Sequence, residues 1–376
     1  MDPIETYRLA GENQKAYDLA KVEYERLKDN PSAKERLHKL VYELTIVSYY
    51  INKKHECGEY YDRLWLYHGI KFTKNLQFYL EPLPMISKFR LSNNNIQNYY
   101  PCNPSLLPDG DNYWTSIRWV NYIQIDGIYH FPHSTPKIHS ILTLFYINKD
   151  FQVQALYRVE EDDSRLKNPN SQISGMEDAR LFWNDNHLAF SCTVADIVDG
   201  RIGIAIGQIA EIKRGQPLPV DRNIKVKLRV CESPGKRGCE KNWLRWQDDT
   251  FLYDVSIGQL LNINTNHVNT IDHKVLVDHR GGAGPLPFDD GQLVLVHSHL
   301  DQGFVKGRTY IHRFLWYRDK LEKYSRWFYF NNQGVEFAIG MIYKDKDHII
   351  IGYGVDDRED WFGIISVEEI RKMWCV

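Results

Sequence analysis

Residues 177–194 read EDARLFWNDNHLAFSCTV, and this stretch decides the fold that we predict. Charged residues open it, a short apolar run follows, Asn and Asp make a turn, and a second apolar run ends it. Alternation of apolar residues is typical of strands that bury one face, and Asn and Asp favour tight turns. The stretch therefore predicts two antiparallel strands joined by a turn, with charged side chains where the first strand begins.

The same pattern occurs five times along the chain. The other copies are NPSLLPDGDNYWTSIRWVNY from Asn103, KNWLRWQDDTFLYDV from Lys241, GAGPLPFDDGQLVLVHSHL near Gly281 and EFAIGMIYKDKDHIIIGYGV from Glu336. Their starts lie roughly 40 to 75 residues apart, which suits four-stranded blades with insertions in the loops. We therefore predict a mainly β fold, a five-bladed β-propeller. A β-sandwich also has many short strands, but it gives no reason for five copies of one pattern.

The first part of the chain has a different pattern. From about residue 12 to 68, apolar residues lie three and four positions apart among Lys, Arg and Glu, which predicts amphipathic helices. We predict an N-terminal α-helical segment over residues 1–75, either a cap packed on the main domain or half of a repeat array. The propeller domain is predicted over residues 76–376. The stretch NLQFYLEPLPMISKFRL (residues 75–91) is predicted to supply a strand that closes the last blade.

The composition argues against several classes of protein. The 47 basic and 49 acidic residues nearly cancel, so nucleic acid is not predicted as a partner. The N-terminus lacks the features of a signal peptide, and no apolar stretch reaches the ~20 residues of a membrane span, which predicts a cytoplasmic protein. The six Cys fit no zinc pattern, and neither a metal nor another cofactor is predicted.

The starts of the five patterns carry the predicted site. In a propeller the innermost strand of each blade lines a central channel, so residues that open these strands converge although they are far apart in sequence. The candidates at these openings are Asn103, Glu177, Asp178, Arg180, Lys241, Asn242, Arg280 and Glu336. Arg118 alternates with apolar residues on a strand and is predicted to face the channel. Together with Lys241, Arg280 and Arg313 it forms a basic group suited to phosphate, free or on a donor.

Two carboxylates near basic groups suit chemistry at a glycosidic bond. One acid protonates the departing oxygen while the positive charge that develops on the sugar is stabilised from another side. We predict Asp178 as the proton donor, with Glu177 beside it and Arg180 binding sugar hydroxyls or tuning the protonation. The alternative is that residues 177–180 form a turn with a surface ion pair.

Five more residues are predicted to bind substrate: His297, Tyr310, His312, Arg313 and Asp356. His297 and His299 lie on one face of a strand and could hold a metal, but no third ligand is near, so hydrogen bonding to a sugar or a neighbouring blade is favoured. Asp356 and Asp357 follow the last apolar strand, and they either reach the mouth of the funnel or form a polar turn.

The order of these motifs resembles a known family. NPS…R, GMEDARLF, EKNW, RGG, YIHRF, GVEFAIG and GYGVDD follow one another as in the five-bladed propellers of the mannoside phosphorylase and β-mannosidase type. The chain looks closest to a branch joined to tetratricopeptide-containing glycosyltransferase proteins, since YELTIVSYYINKKHECGEYYDRL is similar to the helical piece of that branch. The resemblance covers the chain from residue 35 to its end, and GMEDARLF and EKNW are its most specific parts.

The resemblance implies inverting chemistry on a mannose-like sugar, without a metal, with Asp178 as proton donor and Lys241 at a phosphate-binding position. Ala179 stands where the motif has Pro. The expected partners are a sugar or oligosaccharide and either phosphate or a nucleotide sugar. Phosphorolysis, transfer from an activated donor and hydrolysis stay open, and hydrolysis would use Glu336 or Asp356 as base. A non-catalytic glycan-binding propeller is the remaining alternative, and a homo-oligomer through the helical segment is also open.

Overall fold

The computed structural model describes residues 2–68, 80–91, 96–125, 128–132, 136–162, 168–197, 199–219, 222–235, 238–272, 279–301 and 308–375. Across these ranges the chain is mainly β, with helices in its N-terminal part and sheets in a propeller-like arrangement. No helix in the described ranges has the length and apolar character needed to cross a membrane.

Four helices form the N-terminal layer. They are α1 (Pro3–Leu9), α2 (Asn13–Leu27), α3 (Lys34–Tyr50) and α4 (Lys54–His68). A short 3-10 turn, Pro31–Ala33, separates α2 from α3 at the predicted break, where Asn30 accepts a hydrogen bond from the N–H of Ser32. The apolar core of these helices also contains Ile311 and Trp327 from the strand region. The predicted N-terminal helices are present and pack on the strand region, whereas the predicted boundary at residue 75 lies outside the described residues.

Five larger sheets follow one another along the described chain. The first contains β3 (Tyr100–Asp109), β4 (Asn112–Val120), β7 (Ile138–Asn148) and β8 (Val153–Glu161), extended by β9 (Ile173–Ser174) and β13 (Arg222–Val226). The second contains β10 (Met176–Asn184), β11 (His187–Val194), β12 (Gly203–Lys213) and β14 (Leu228–Val230). The third contains β15 (Leu244–Gln247), β16 (Thr250–Asp254), β17 (Gln259–Asn262) and β18 (His267–Thr270).

The remaining elements complete the fold. The fourth sheet contains β19 (Arg280–Phe288), β20 (Gly291–Asp301), β21 (Arg308–Tyr317) and β22 (Leu321–Ser325), with β1 (Glu81–Pro82), β23 (Phe328–Tyr329) and β27 (Trp374–Cys375). The fifth contains β24 (Glu336–Asp345), β25 (His348–Val355), β26 (Glu359–Ser366) and β2 (Ser87–Phe89). A separate hairpin, β5 (Ile123–Ile125) and β6 (Ile128–His130), is inserted in the first sheet, and the helix α5 (Val367–Lys372) follows β26.

Apolar side chains fill the space between neighbouring sheets. One apolar core lies between each pair of neighbouring sheets, including the fifth and the first. From the first–second pair around to the fifth–first pair, the cores contain Trp114 with Phe190, Ile204 with Trp243, Leu252 with Val294, Phe314 with Ile351, and Ile350 with Phe145. Each sheet therefore packs on two neighbours, as the blades of a propeller do. Burial of the strand faces against the next sheet explains the alternating apolar pattern of the sequence.

The number of complete blades differs from the prediction. Within the described residues, four sheets are each built from their own successive antiparallel strands. The fifth sheet has only three such strands, and its outer strand is β2, which pairs with β26 from the far end of the chain. Of the five predicted blades, four are therefore found complete in the described residues, and the last sheet is composite. The predicted closing strand is confirmed at Ser87–Phe89.

The first strands of the sheets meet at the centre. Strand β3 contacts β10 and β24, and β19 contacts β15 and β24. Gly281 in β19 lies so close to the carbonyl oxygen of Asn242 that a Cβ atom would collide with it. This close approach needs glycine and brings the third and fourth sheets together next to the residues that open them.

Candidate active site

Several inner strands contain or follow a residue in the left-handed backbone conformation. These residues include Asn103 with φ 49°, Asp178 with φ 52° and Asn242 with φ 66°. Asn and Asp adopt this conformation at lower cost than other non-glycine residues. The pairing of β10 with β11 shifts register between Glu177 and Arg180, which is a β-bulge. The bulge interrupts the alternation of faces, so the adjacent side chains of Glu177 and Asp178 both reach the same cation.

That cation is Arg118, which is almost fully buried. Its Nη2 lies 3.0 Å from Oε1 of Glu177, its Nη1 lies 3.3 Å from Oδ1 of Asp178, and its Nε donates to Oγ of Ser140 at 2.9 Å. Lys241 Nζ donates to the other oxygen of Glu177 at 2.9 Å. Two carboxylates and two cations thus offset each other's charge in a place where an isolated charge would be costly.

Asp178 is held as a carboxylate. Its Oδ1 also accepts a hydrogen bond of 2.8 Å from Nδ2 of Asn103. Burial by itself would raise the pKa of Asp178, but the charge of Arg118 and the hydrogen bond from Asn103 outweigh it, and the pKa lies below its usual value. In this state Asp178 is ionised at neutral pH, and its predicted role as proton donor stays a prediction.

Arg180 has a hydrogen-bond donor without an acceptor. Its Nε donates to the carbonyl oxygen of Gly282 at 3.0 Å, and its Nη1 donates to the carbonyl oxygen of Asp178 at 3.3 Å. The guanidinium lies 5.8 Å from the ring centre of Phe337. Its Nη2 is buried and has no hydrogen-bond partner among the described residues. Burial lowers the pKa of Arg180 to about 10, so the side chain remains a cation at neutral pH.

Asp357 joins these residues from the end of β25. Its Oδ2 accepts hydrogen bonds from the hydroxyl of Tyr122 at 3.1 Å and from Nε2 of Gln124 at 2.7 Å. Burial raises the pKa of Asp357, and the negative charge of Asp178 adds to the effect, although Arg118 opposes it. Two neighbouring carboxyl groups therefore have pKa values shifted in opposite directions, an arrangement typical of acid–base sites. We call Asn103, Arg118, Glu177, Asp178, Arg180, Lys241 and Asp357 the central cluster.

Residues of the fourth sheet flank this cluster. His297 is buried, its ring centre lies 4.7 Å from that of Phe337, and Tyr310 lies 5.5 Å away on the neighbouring strand. Burial lowers the pKa of His297 well below its usual value, so the imidazole is neutral. Arg280 pairs with His297 across β19 and β20, and it is exposed. Phe337 thus connects His297 and Tyr310 to the guanidinium of Arg180.

Two predicted binding residues of β21 lie outside the cluster. His312 is fully buried, with its ring centre 4.5 Å from that of Phe330, and burial lowers its pKa to about 3. Arg313 points to the opposite face of the strand, where its Nη1 and Nη2 lie 2.9 and 2.5 Å from the carboxylate of Asp62 in α4. The predicted role of both residues in substrate binding is corrected, because each is enclosed by other protein groups.

Glu336 and Asp356 have partners outside the central cluster, which speaks against their predicted roles in substrate binding. Glu336 is fully buried and accepts hydrogen bonds from the backbone N–H groups of residues 330, 331 and 332 at 2.6 to 2.7 Å. Asp356 contacts Arg358 at the surface, at 3.4 Å. Among the described residues, neither forms a hydrogen bond or ion pair with a member of the central cluster. Asn242 opens the third sheet at a partly buried position next to Lys241, close to Gly281.

Sequence reasoning missed Tyr122, Gln124, Ser140 and Phe337 as site residues. For Asp357 it left a place at the funnel mouth or in a polar turn open, and it counted only the adjacent Asp356 among the binding residues. In the described ranges, no group of three or more His, Cys, Asp or Glu side chains is placed to share a metal ion.

Comparison with known proteins supports the fold. No family model and no curated protein matches the chain. Among solved structures, MPT-1, a GDP-Man-dependent mannosyltransferase from Leishmania mexicana, matches at 11% identity over 78% of this chain and 93% of that chain, with TM-score 0.50. The β-1,2-mannobiose phosphorylase from Listeria innocua matches at 12% identity over 75% and 94%, with TM-score 0.48. MPT-4, a mannose phosphorylase from Leishmania mexicana, matches at 13% identity over 79% and 93%, with TM-score 0.46.

At such low identity the match to MPT-1 is a similarity of fold, and it agrees with the propeller-like arrangement of the sheets. The predicted relation of the helical segment to tetratricopeptide-containing glycosyltransferase proteins stays a prediction.

Proposed function

We propose that this chain is a carbohydrate-active enzyme that transfers a mannose-like glycosyl group with inversion, as a glycosyltransferase or a glycoside phosphorylase. The observation that carries the proposal is the central cluster, where a buried ionised carboxylate lies beside a buried guanidinium with a free donor. The mannosyl substrate class is extended from MPT-1, a GDP-Man-dependent mannosyltransferase of similar fold. The composite fifth sheet counts as the fifth blade in this proposal.

The state of Asp178 favours transfer from an activated donor. In such a reaction the acceptor oxygen forms a bond to the anomeric carbon, the bond from that carbon to the phosphate oxygen breaks, and the proton of the acceptor hydroxyl must be taken up. An ionised Asp178 is the group that takes the proton. Phosphorolysis is the reverse step and needs the protonated form of Asp178, which its lowered pKa disfavours.

The cations have a role in both directions. A phosphate or nucleoside diphosphate carries negative charge that increases as the bond to the sugar breaks. Arg180 offers an unpaired N–H to this charge, while Lys241 and Arg280 are the more exposed cations at the starts of neighbouring strands. Asp357, whose carboxyl group already accepts hydrogen bonds from Tyr122 and Gln124, is proposed to accept one more from a sugar hydroxyl.

The replacement Asp178→Asn tests the proposal. Asn accepts the left-handed backbone conformation and keeps the size of the side chain, so we expect the fold and the sugar affinity to be retained. Without the carboxylate, turnover should fall by a factor on the order of 10²–10⁴. Asp356→Asn is the matched control, because Asp356 also has a positive φ of 54° but pairs with Arg358 at the surface.

The assay should offer GDP-mannose or mannose 1-phosphate with a mannose acceptor, mannobiose with phosphate, and mannobiose in water. Product formed only in the mixtures with GDP-mannose or mannose 1-phosphate supports a transferase. Cleavage of mannobiose only when phosphate is present supports a phosphorylase, and cleavage of mannobiose in water without phosphate supports a hydrolase. Sugar binding without product from any mixture supports the glycan-binding alternative. Full activity of the Asp178→Asn protein would remove Asp178 from the mechanism.

A further inference from the structure

The hairpin β5–β6 is attached to the central cluster without being part of a larger sheet. It leaves the first sheet after β4, and Gln124 in β5 donates to the Asp357 carboxylate at 2.7 Å. Tyr122, just before β5, donates to the same oxygen at 3.1 Å. These two hydrogen bonds fix the base of the hairpin beside the carboxyl groups of the cluster.

Tyr129 in β6 lies over this base. Its ring centre is 4.8 Å from that of Tyr122, with the rings nearly perpendicular, yet 47% of Tyr129 is exposed. Burial of the rest of the side chain raises the pKa of Tyr129, and the negative charges of Asp357 and Glu177 add to this. The side chain of Tyr129 therefore lies near the charged groups of the cluster, while about half of it is open to solvent.

Strand pairing shows which face of the hairpin is turned to the cluster. Gln124 lies opposite Tyr129, and Ile125 lies opposite Ile128, so Tyr129 shares the face of Gln124 and the two isoleucines point to the other face. A half-exposed aromatic ring beside a carboxyl group and an amide is a combination that ligand sites use.

The chemistry around Tyr129 identifies the ligand as a sugar ring. A pyranose has a flat apolar face that packs on an aromatic ring, and hydroxyl groups at its edge that bond to a nearby carboxyl group. An acyl chain or an apolar helix on the same surface would cover Asp357 without offering it a hydrogen bond, which is unfavourable.

We propose that Tyr129, on the face of the hairpin turned to Asp357, forms an outer subsite for the second sugar ring of an oligosaccharide whose first ring lies in the central cluster. This subsite rests on the proposed function, because it assumes a sugar at Asp178. Gln124 is a positioning residue, since it links the hairpin to Asp357 and so sets the distance between the two rings. The subsite makes the protein prefer a disaccharide over a single sugar.

Binding measurements by calorimetry test the subsite without requiring turnover. The ligands are mannose and β-1,2-mannobiose, and the variants are Tyr129→Ala and Tyr129→Phe. We expect Tyr129→Ala to weaken mannobiose binding about tenfold, a size typical of a lost aromatic contact, and to leave mannose binding within about twofold. Tyr129→Phe keeps the ring and should bind mannobiose nearly as the natural protein does.

Tyr50→Ala is the matched control, because Tyr50 is an exposed tyrosine at the end of α3. If Tyr129→Ala does not fold, Tyr129→Leu keeps an apolar side chain but lacks the aromatic ring, and it should weaken mannobiose binding about threefold. Equal loss of both ligands, or no loss of mannobiose binding, overturns the subsite and leaves the proposed function standing. Failure of the natural protein to bind either sugar overturns the proposed function and the subsite together.

Discussion

The guanidinium of Arg180 is held in place by two hydrogen bonds, and one of its N–H donors has no acceptor among the described residues. Carbonyl oxygens of Gly282 and Asp178 hold two of its nitrogens, while the buried Nη2 has no acceptor in the described part of the chain. An unsatisfied buried donor costs about 1–3 kcal/mol, and proteins retain such groups mainly where a ligand or water completes the bonding. We therefore expect direct contact between Arg180 and the substrate.

Replacement of Arg180 by Lys separates charge from geometry. Lysine keeps the positive charge but lacks the planar fork of donors, so we expect KM for the sugar or phosphate ligand to rise about 10-fold to 100-fold. Steady-state kinetics or calorimetry measures the change. Arg358→Lys, at an exposed ion pair, is the control and should leave KM unchanged. An unaltered KM in the Arg180→Lys protein would mean that Nη2 does not contact substrate.

His312 gives the protein a defined sensitivity to acid. Its pKa is about 3 in the folded chain, against 6.5 for an ordinary histidine, because it is fully buried. Between these values the unfolded chain binds a proton that the folded chain does not, so stability falls as the pH falls from 6.5 towards 3. His312→Phe should reduce this slope by about 1.4 kcal/mol per pH unit.

Urea unfolding at pH 7, 6 and 5 measures that slope. His267→Phe, at an exposed position in β18, controls for the added ring. Equal slopes for the natural protein and the His312→Phe variant would contradict the predicted neutral state of the buried imidazole.

Adjacent residues show how far the sequence could define the site. Alternation along a strand predicts that neighbours face opposite ways, and His312 and Arg313 do so, but it does not say which face meets the channel. The bulge at Asp178 breaks the alternation and brings Glu177 to the same cation. The choice between Asp356 and Asp357 depends on the Tyr122 hydroxyl and the Gln124 amide, which lie more than 200 residues away.

Among the elements, β2 closes the fifth sheet with only three residues. Phe89 stacks on Phe362 of β26, with ring centres 5.6 Å apart, and lies 4.3 Å from the ring of Phe151. We expect Phe89→Ala to lower the free energy of unfolding by about 2 kcal/mol, less than the roughly 3–5 kcal/mol for a fully buried Phe, since Phe89 is half-buried.

Chemical denaturation measures this loss. Ile86→Ala is the control, because Ile86 is 61% exposed and the bond from its backbone N–H to the carbonyl oxygen of Ile364 remains. If Phe89→Ala were no less stable than the control, closure of the fifth sheet would not contribute to stability.

The positions of the inner strands were easier to predict than the contacts made by the residue that opens each strand. Asn103, Asp178 and Lys241 open inner strands and meet at the centre, as their place in the repeated pattern indicates. Glu336 occupies an equivalent place, yet its carboxylate binds three backbone N–H groups of the turn before β24. Which unsatisfied N–H groups a loop presents depends on its three-dimensional course, and a sequence motif does not contain that information.

At the scale of the whole molecule, one buried ion pair joins the helices to the sheets. Asp62 in α4 binds Arg313 in β21 and accepts a hydrogen bond from Nε1 of Trp327 at 2.7 Å. Asp62→Asn would leave the Arg313 charge buried without a counter-charge. We expect the free energy of unfolding to fall by about 3–5 kcal/mol, as is typical when one member of a buried pair is removed.

A second variant tests the cause of that loss. Asp62→Leu combined with Arg313→Met removes both charges and should recover most of the stability, because no unpaired charge remains. Asp29→Asn, at an exposed position after α2, is the control. Separate melting of the helices and the sheets in the natural protein would contradict the view that this pair couples them.

The composite fifth sheet has a consequence for how the protein is made. Its outer strand β2 pairs with β26, Phe89 opposite Phe362, so the ribosome synthesises β2 long before its partner strand. The first blades can fold during that interval, but the ring of sheets closes only when β26 has been synthesised and pairs with β2. Chains released before that point would carry two bare strand edges, and such edges invite aggregation.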